Sequence, residues 1–187
     1  MRIGLISDTH VPSYGGEPPH QVIEAFAGVE LILHAGDIYI ESCIEWLERI
    51  APVEAATSWF TSGAEAAPRT GSVHVVEAGG HSIGLVHNLQ LLPIPDEVYP
   101  GTIARRYPAD TPLAAELETI FGTMVDIVVF GYTHEALVET HQGVLFVNPG
   151  STTMVKQSVK MGTVAVLELP PDGPPEARLI ELASLGA

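Results

Sequence analysis

Short apolar, β-branched runs recur along the chain at residues 2–6, 30–34, 52–56, 72–77, 82–87, 126–130, 143–147, 161–169 and 177–182, each bounded by Gly, Pro, Asp or Asn. Runs of this length between turn-favouring residues predict buried strands. Stretches with helical spacing separate the early ones. Over 19–27, Val22, Ile23 and Phe26 can share a face; over 41–50, Ile44, Trp46 and Leu47 cluster; a third helix is predicted near 112–122, after Thr111. The first half therefore alternates strand and helix, whereas beyond Gly71 the pattern turns to strand pairs joined by glycine turns such as Ala78-Gly79-Gly80. The stretch Pro170 to Pro175 reads as the hairpin connection between the last two strands. A layered α/β domain with more than one sheet follows. Segments 57–71 and 91–111 fit no regular element, the second because Pro93, Pro95, Pro100 and Pro108 interrupt it. Long connections of this kind are often functional loops. With no internal repeat and no dividing linker, residues 1–187 are predicted to form a single domain.

Composition narrows the partners. Lys and Arg number 8 against 23 Asp and Glu, a formal net charge of -15, so the average field repels polyanions and no long nucleic acid is expected. Hydrophobic residues at 46% and charged ones at 17% supply a sizeable core and disfavour disorder. Cys43 is the only cysteine, which excludes an intramolecular disulfide and any multi-cysteine zinc site. The first apolar run is too short for a signal sequence or a membrane span, and the charge balance disfavours an anionic membrane surface; a cytoplasmic location is expected.

The chemistry lies where strands end. Run 2–6 leads into Ser7-Asp8-Thr9-His10, a carboxylate and an imidazole two positions apart, and such a pair can grip one divalent cation. Run 30–34 leads into Ala35-Gly36-Asp37, run 82–87 finishes with His87, run 126–130 leads into Gly131-Tyr132-Thr133-His134, and run 143–147 into Asn148-Pro149-Gly150-Ser151. These five polar termini would converge if the strand ends lie along one edge of a layered sheet. A single Asp or His at such a place is usually a turn former. The joint order after successive strands is what points to a metal site. His34, just before Gly36-Asp37, is read as a supporting residue, and His20, His74, His81 and His141 as turn, strand or exposed positions.

In that order, these motifs resemble those of the calcineurin-like metallophosphoesterase superfamily, particularly its small bacterial and archaeal phosphodiesterases, and the resemblance spans nearly the whole chain. It implies a four-layer αββα sandwich with a two-metal centre at the carboxyl edge of the sheets. Carried over position by position, Asp8, His10 and His134 would hold a first metal, and Asp37 would bridge it to a second that also binds His87. Asp37, His87 and His134 would then be the catalytic residues, acting through metal-bound hydroxide. The implied cofactor is a divalent metal (Mn, Fe, Zn or Ni). Two departures weaken the second position: Trp59 stands where the family has a metal-binding asparagine, and Tyr132 where it has a histidine. One tight metal is therefore expected, with the second weak or absent. Tyr132 as a phenolate ligand, or an oxygen from Glu135, Glu65 or Asn88, stays open as a substitute; otherwise Trp59 and Tyr132 form a wall or an aromatic surface for an organic ligand. Phe60, following Trp59, cannot protonate a leaving group.

Arg105 and Arg106, in the proline-rich segment after His87, are candidate phosphate contacts. Lys156 and Lys160 are read as surface charges. The expected function is metal-dependent hydrolysis of small phosphate esters, chiefly phosphodiesters; the alternative is a non-catalytic scaffold or ligand-binding protein of the same fold. The net charge does not oppose the first reading, because a bound cation reverses the local field whatever the global sum.

Overall fold

The computed structural model describes residues 1–56, 70–71, 73–91 and 97–186. Its strands are β1 (Arg2–Ile6), β2 (Leu31–His34), β3 (Val53–Ala56), β4 (Thr70–Gly71), β5 (Val73–Ala78), β6 (His81–Val86), β7 (Ile127–Val129), β8 (Leu137–His141), β9 (Val144–Asn148), β10 (Met154–Val155), β11 (Ser158–Val159), β12 (Thr163–Glu168) and β13 (Glu176–Glu181). The helices are α1 (Gln21–Ala25), α2 (Glu41–Glu48), α3 (Thr102–Arg106) and α4 (Ala114–Phe121). Among the described residues no helix is long and apolar enough to cross a membrane.

Two sheets form. One has six strands in the order β13-β12-β1-β2-β3-β4, the other five in the order β5-β6-β7-β9-β8. In the first, β1, β2, β3 and β4 run parallel, with β12 and β13 added antiparallel. In the second, β6, β7 and β9 run parallel between antiparallel β5 and β8. The parallel sets put the exits of β1 and β2, and those of β6, β7 and β9, on common edges, which is where ligands collect in such sheets.

Alternation along the strands explains the layering. In β1, Ile3 and Leu5 join Leu33, Leu85, Ile127, Val129 and Val147 in an apolar layer between the sheets. Ile6 instead faces a second layer with Val22, Phe26, Trp46 and Leu47 from the α1 and α2 side. Val128 and Phe146 face a third, with Ile103, Leu117 and Phe121 from the α3 and α4 side. Three apolar layers separate four layers of structure, helix, sheet, sheet, helix, which is the αββα sandwich. Strands covered on both faces read as unbroken apolar runs, which is why the central ones are so visible in the sequence. A glycine seats a phenylalanine on each side: a Cβ at Gly4 would lie 3.0 Å from the Phe26 ring and one at Gly84 2.7 Å from Phe121. Each missing side chain lets an aromatic ring rest directly on the sheet.

Four details differ from the sequence pattern. Of the three apolar residues expected to share a face in the first helical stretch, Val22 and Phe26 are buried and Ile23 is 54% exposed, because residues i and i+4 share a face that the adjacent position does not. The proline-rich segment 91–111 contains a helix after all, α3, which fits into the proline-free stretch between Pro100 and Pro108. Strand β8 was not evident, since it is an edge strand whose Glu139, Thr140 and His141 break the apolar run. The same holds for the two-residue strands β10 and β11.

Candidate metal centre

The loops leaving β1, β2 and β7 share an unusual backbone. Asp8, His10, Asp37, Tyr132 and His134 all have left-handed φ, between 50° and 74°. Asp and His tolerate this region better than most residues, but each such residue is strained by roughly 1–3 kcal/mol. Surrounding hydrogen bonds hold it in place. Asp8 N–H donates to Gly36 O at 3.0 Å and His10 N–H to Asp37 O at 3.2 Å, so the β1 and β2 exits are laced together. From the far side of the chain, Ser151 Oγ donates to Asp8 O at 2.7 Å and Thr153 Oγ1 to Thr9 O at 3.3 Å. Asn148, at the end of β9, donates to Gly131 O at 2.9 Å and Thr133 Oγ1 at 3.1 Å, bracing the β7 exit.

This bracing aims side chains at one point. Asp8, His10, Asp37 and His134 each offer one donor atom, and all four atoms lie within 4.8 Å of one another. His10 Nε2 and His134 Nε2 are 3.1 Å apart, and His134 Nε2 is 3.4 Å from Asp8 Oδ1. Asp37 touches two imidazoles, with Oδ2 3.7 Å from His10 Nδ1 and Oδ1 3.5 Å from His87 Nε2. His87 Nδ1 lies 2.7 Å from Ala35 O. A carbonyl only accepts, so Nδ1 carries the proton, and in the neutral ring Nε2 turns its lone pair toward the Asp37 carboxylate.

The donor set fits a cation. Asp8 is fully buried and Asp37 half-buried, and among the described residues their ion pairs are with imidazoles alone. Two carboxylates with no Lys or Arg beside them among the described residues favour an added positive charge, because burial makes an incompletely compensated anion unfavourable. His134 Nδ1 is buried with no hydrogen-bond partner among the described residues. Two imidazoles and two carboxylates also match the chemistry of Zn, Mn or Fe sites. Protonation agrees. Burial holds His10 below its ordinary pKa despite the charges of Asp37 and Asp8. For His134 burial also pulls downward, but the hydrogen bond and charge of Asp8, together with Asp37, outweigh it and raise the pKa. One imidazole of the close pair is thus held neutral with a lone pair to offer.

Tyr132 donates its backbone N–H to the Asp8 carboxylate, 3.1 Å from Oδ2, while its ring is 42% exposed and stands edge-on to His87 at 5.6 Å. Trp59, Phe60 and Glu65 lie outside the described residues. Arg105 and Arg106 sit on α3 in the outer helical layer, where Arg105 donates to Thr102 Oγ1 at 3.1 Å and Arg106 to Leu91 O at 3.3 Å. The structure thus brings together Asp8, His10, Asp37, His87, His134 and Tyr132, and ties the two arginines to neighbours in their own segment. Lys156 pairs with Glu135 at 3.8 Å. His34 is fully buried beneath the β1 and β2 exits, accepting from Gly36 N–H at 3.2 Å with its other nitrogen 3.2 Å from Thr9 Oγ1; burial lowers its pKa to about 3.

Several contributors carry no signal in the sequence. Ser7 Oγ lies 2.5 Å from Asp8 Oδ2 and 3.1 Å from Ala35 O. Tyr14, 43% exposed, stands edge-on to His10 at 5.6 Å, and Tyr39 places its hydroxyl 2.7 Å from His10 Nδ1. Tyr39 meets His10, and Ser7 meets Ala35, only because separate loops fold against one another.

Comparison with known proteins agrees with this geometry. Residues 1–171 match the model of the calcineurin-like phosphoesterase superfamily domain. A probable metallophosphoesterase of Methanothermobacter thermautotrophicus is 35% identical over 156 residues, covering 82% of this chain and 78% of that protein. Among solved structures, wild-type Vps29 complexed with zinc from Entamoeba histolytica superposes with a TM-score of 0.66 at 21% identity, covering 97% of this chain and 99% of that one. A novel archaeal phosphodiesterase gives 0.64 at 21%, covering 96% and 99%. The two structural likenesses establish the fold, the family model and the archaeal relative the kinship: this chain belongs to the calcineurin-like phosphoesterase superfamily.

Proposed function

We propose that this protein is a metal-dependent phosphodiesterase of small organic phosphate esters, working with one tightly held divalent cation. Asp8, His10, Asp37 and His134 would hold that cation, while Asp37 and His87 alone would offer a second, weaker position. The observation that carries the reading is the convergence of two buried imidazole nitrogens and two carboxylates with no Lys or Arg to neutralise them among the described residues. A divalent cation bound there supplies Lewis-acid polarisation of a phosphoryl oxygen and lowers the pKa of coordinated water. The protein's part is to keep the donors fixed. The left-handed loops and their bracing hydrogen bonds set the carboxylates before any ligand arrives, and the His87 Nδ1–H bond to Ala35 O keeps Nε2 free to accept. Tyr132 and Tyr14 form an exposed aromatic rim where the organic part of an ester would rest. Phe60, which follows Trp59 in the sequence, cannot protonate a leaving group, which favours esters of good leaving groups.

The exposed Tyr132 beside His87 favours one competing reading, a ligand-binding protein that keeps the cation without turnover. Metal analysis of the purified protein, followed by a manganese-supplemented assay on an aryl phosphodiester, separates the two. Turnover that vanishes in Asp37→Ala supports the phosphodiesterase. Fully metallated protein with no turnover above background on phosphodiesters or monoesters would overturn it in favour of the binding protein.

A further inference from the structure

The contacts of Tyr39 extend the metal centre by one residue. This residue stands two positions after Asp37, on the short link into α2, and Ile38 between them is buried in the layer between the helices and the six-stranded sheet. That anchoring leaves the phenol little freedom. Its hydroxyl lies 2.7 Å from His10 Nδ1, with the rings 5.6 Å apart at 62°, and it also hydrogen-bonds the Asp37 side chain. For His10 to offer Nε2 to a cation, its proton must sit on Nδ1. Nδ1–H then donates to the phenol oxygen, whose single proton is left for the carboxylate, an acceptor only. Every proton in that chain has one consistent place.

Resting on the reading of this site as a metal centre, we propose that Tyr39 is a positioning residue: its hydroxyl accepts from His10 Nδ1–H and donates to Asp37, locking the imidazole tautomer that turns a lone pair inward and fixing the ring against the carboxylate. One side chain thereby orients two ligands that leave different strands. Partners of this kind typically contribute 10–100-fold to metal affinity. A phenol that acts only through these two ligands should, when lost, weaken binding and leave chemistry at saturating metal largely intact.

Tyr39→Phe keeps the ring and removes the hydroxyl. In calorimetric titration with manganese, affinity should fall by about 10–100-fold, with kcat on an aryl phosphodiester at saturating manganese close to wild type. A purely structural role would lower the Tm and leave metal affinity alone. In the zinc-loaded, 15N-labelled protein, the His10 Nδ1–H signal should persist in wild type and be lost to exchange in the variant. Equal manganese affinity of the two proteins overturns the Tyr39 assignment while leaving the metal centre standing; a wild-type chain that takes up no divalent metal overturns both. If Tyr39→Phe does not fold, the zinc-loaded wild type decides alone, since a His10 proton found on Nε2 is incompatible with the proposal.

Discussion

Gly131, the first residue beyond the Phe130 that follows β7, offers a sharp test of how the centre is assembled. A Cβ built there would lie 1.9 Å from Ser7 Oγ, 2.6 Å from Asp8 Oδ2 and 2.9 Å from Ala35 O, whereas real Cβ atoms essentially never come within 3.0 Å of a neighbour. Gly131→Ala must therefore open the nearest contact by about 1.1 Å. Either Ser7 rotates away, giving up its bonds to Asp8 and Ala35, or the β7 exit retreats and carries with it the Tyr132 N–H that binds Asp8. The first route loses a hydrogen bond to a carboxylate, about 1.5–3 kcal/mol, and the second is overpacking, about 1–3 kcal/mol. A destabilisation of about 2–3 kcal/mol corresponds to a Tm lower by roughly 4–12 °C for a chain of this size. Manganese affinity should fall by about 10–100-fold, because Asp8 loses its orientation. Ser7→Ala removes the closest obstacle, so the Ser7→Ala/Gly131→Ala double variant should be less destabilised than the two single changes added together. Thermal unfolding of the metal-free proteins and calorimetric manganese titration supply the numbers. A Gly131→Ala protein with wild-type Tm and affinity, or strictly additive effects in the double variant, would refute the packing argument.

Other outcomes test other parts. Asp37→Ala, which removes the carboxylate between His10 and His87, should abolish phosphodiester turnover and lower metal stoichiometry measured by mass spectrometry of the metals; a fully active variant would exclude Asp37 from the centre. Tyr132→His combined with Trp59→Asn should raise second-metal affinity and activity, and unchanged stoichiometry in titration would mean that these positions do not face a second cation. Stability should also depend on His34. Its buried imidazole stays neutral to about pH 3 while the unfolded chain titrates near 6.5, so its contribution is complete above pH 6.5 and is lost progressively as pH falls toward 3. The full difference is an upper bound of roughly 5 kcal/mol at about 1.4 kcal/mol per pKa unit. Denaturant titrations between pH 7 and 4 should therefore show a shallower loss in His34→Gln than in wild type, and parallel slopes would contradict the assignment.

How much of this could be read beforehand depended on where each residue sits. The β1, β2, β6, β7 and β9 strands are covered on both faces, so their apolar runs stand out, and the polar residues at their exits stand out by contrast. That made Asp8, Asp37, His87 and His134 visible as candidates. Edge strand β8, half-exposed and carrying Glu139 and His141, gives no such contrast. Prolines at 100 and 108 suggested an irregular segment because a proline ends a helix, yet the five residues of α3 fit between them. Tyr14, Tyr39 and Ser7 were silent for another reason: no residue type or spacing marks them, and their contacts exist only once the loops after β1 and β2 take their folded shape. The left-handed φ values were equally hidden, since none of those five residues is a glycine.

The division of the donors between the two sheets has a mechanical consequence. Asp8, His10 and Asp37 leave strands of the six-stranded sheet, His87 and His134 strands of the five-stranded one, and apart from the hydrogen bonds between these exits the two sheets meet through an apolar layer without direction. A cation shared by both sets would act as a rivet across that seam. Its binding free energy would then be felt as resistance to the sheets sliding or parting, and amide exchange in β1, β2, β6 and β7 should slow together when metal is added. Ligand capture and the cohesion of the sandwich would be one event measured in two ways.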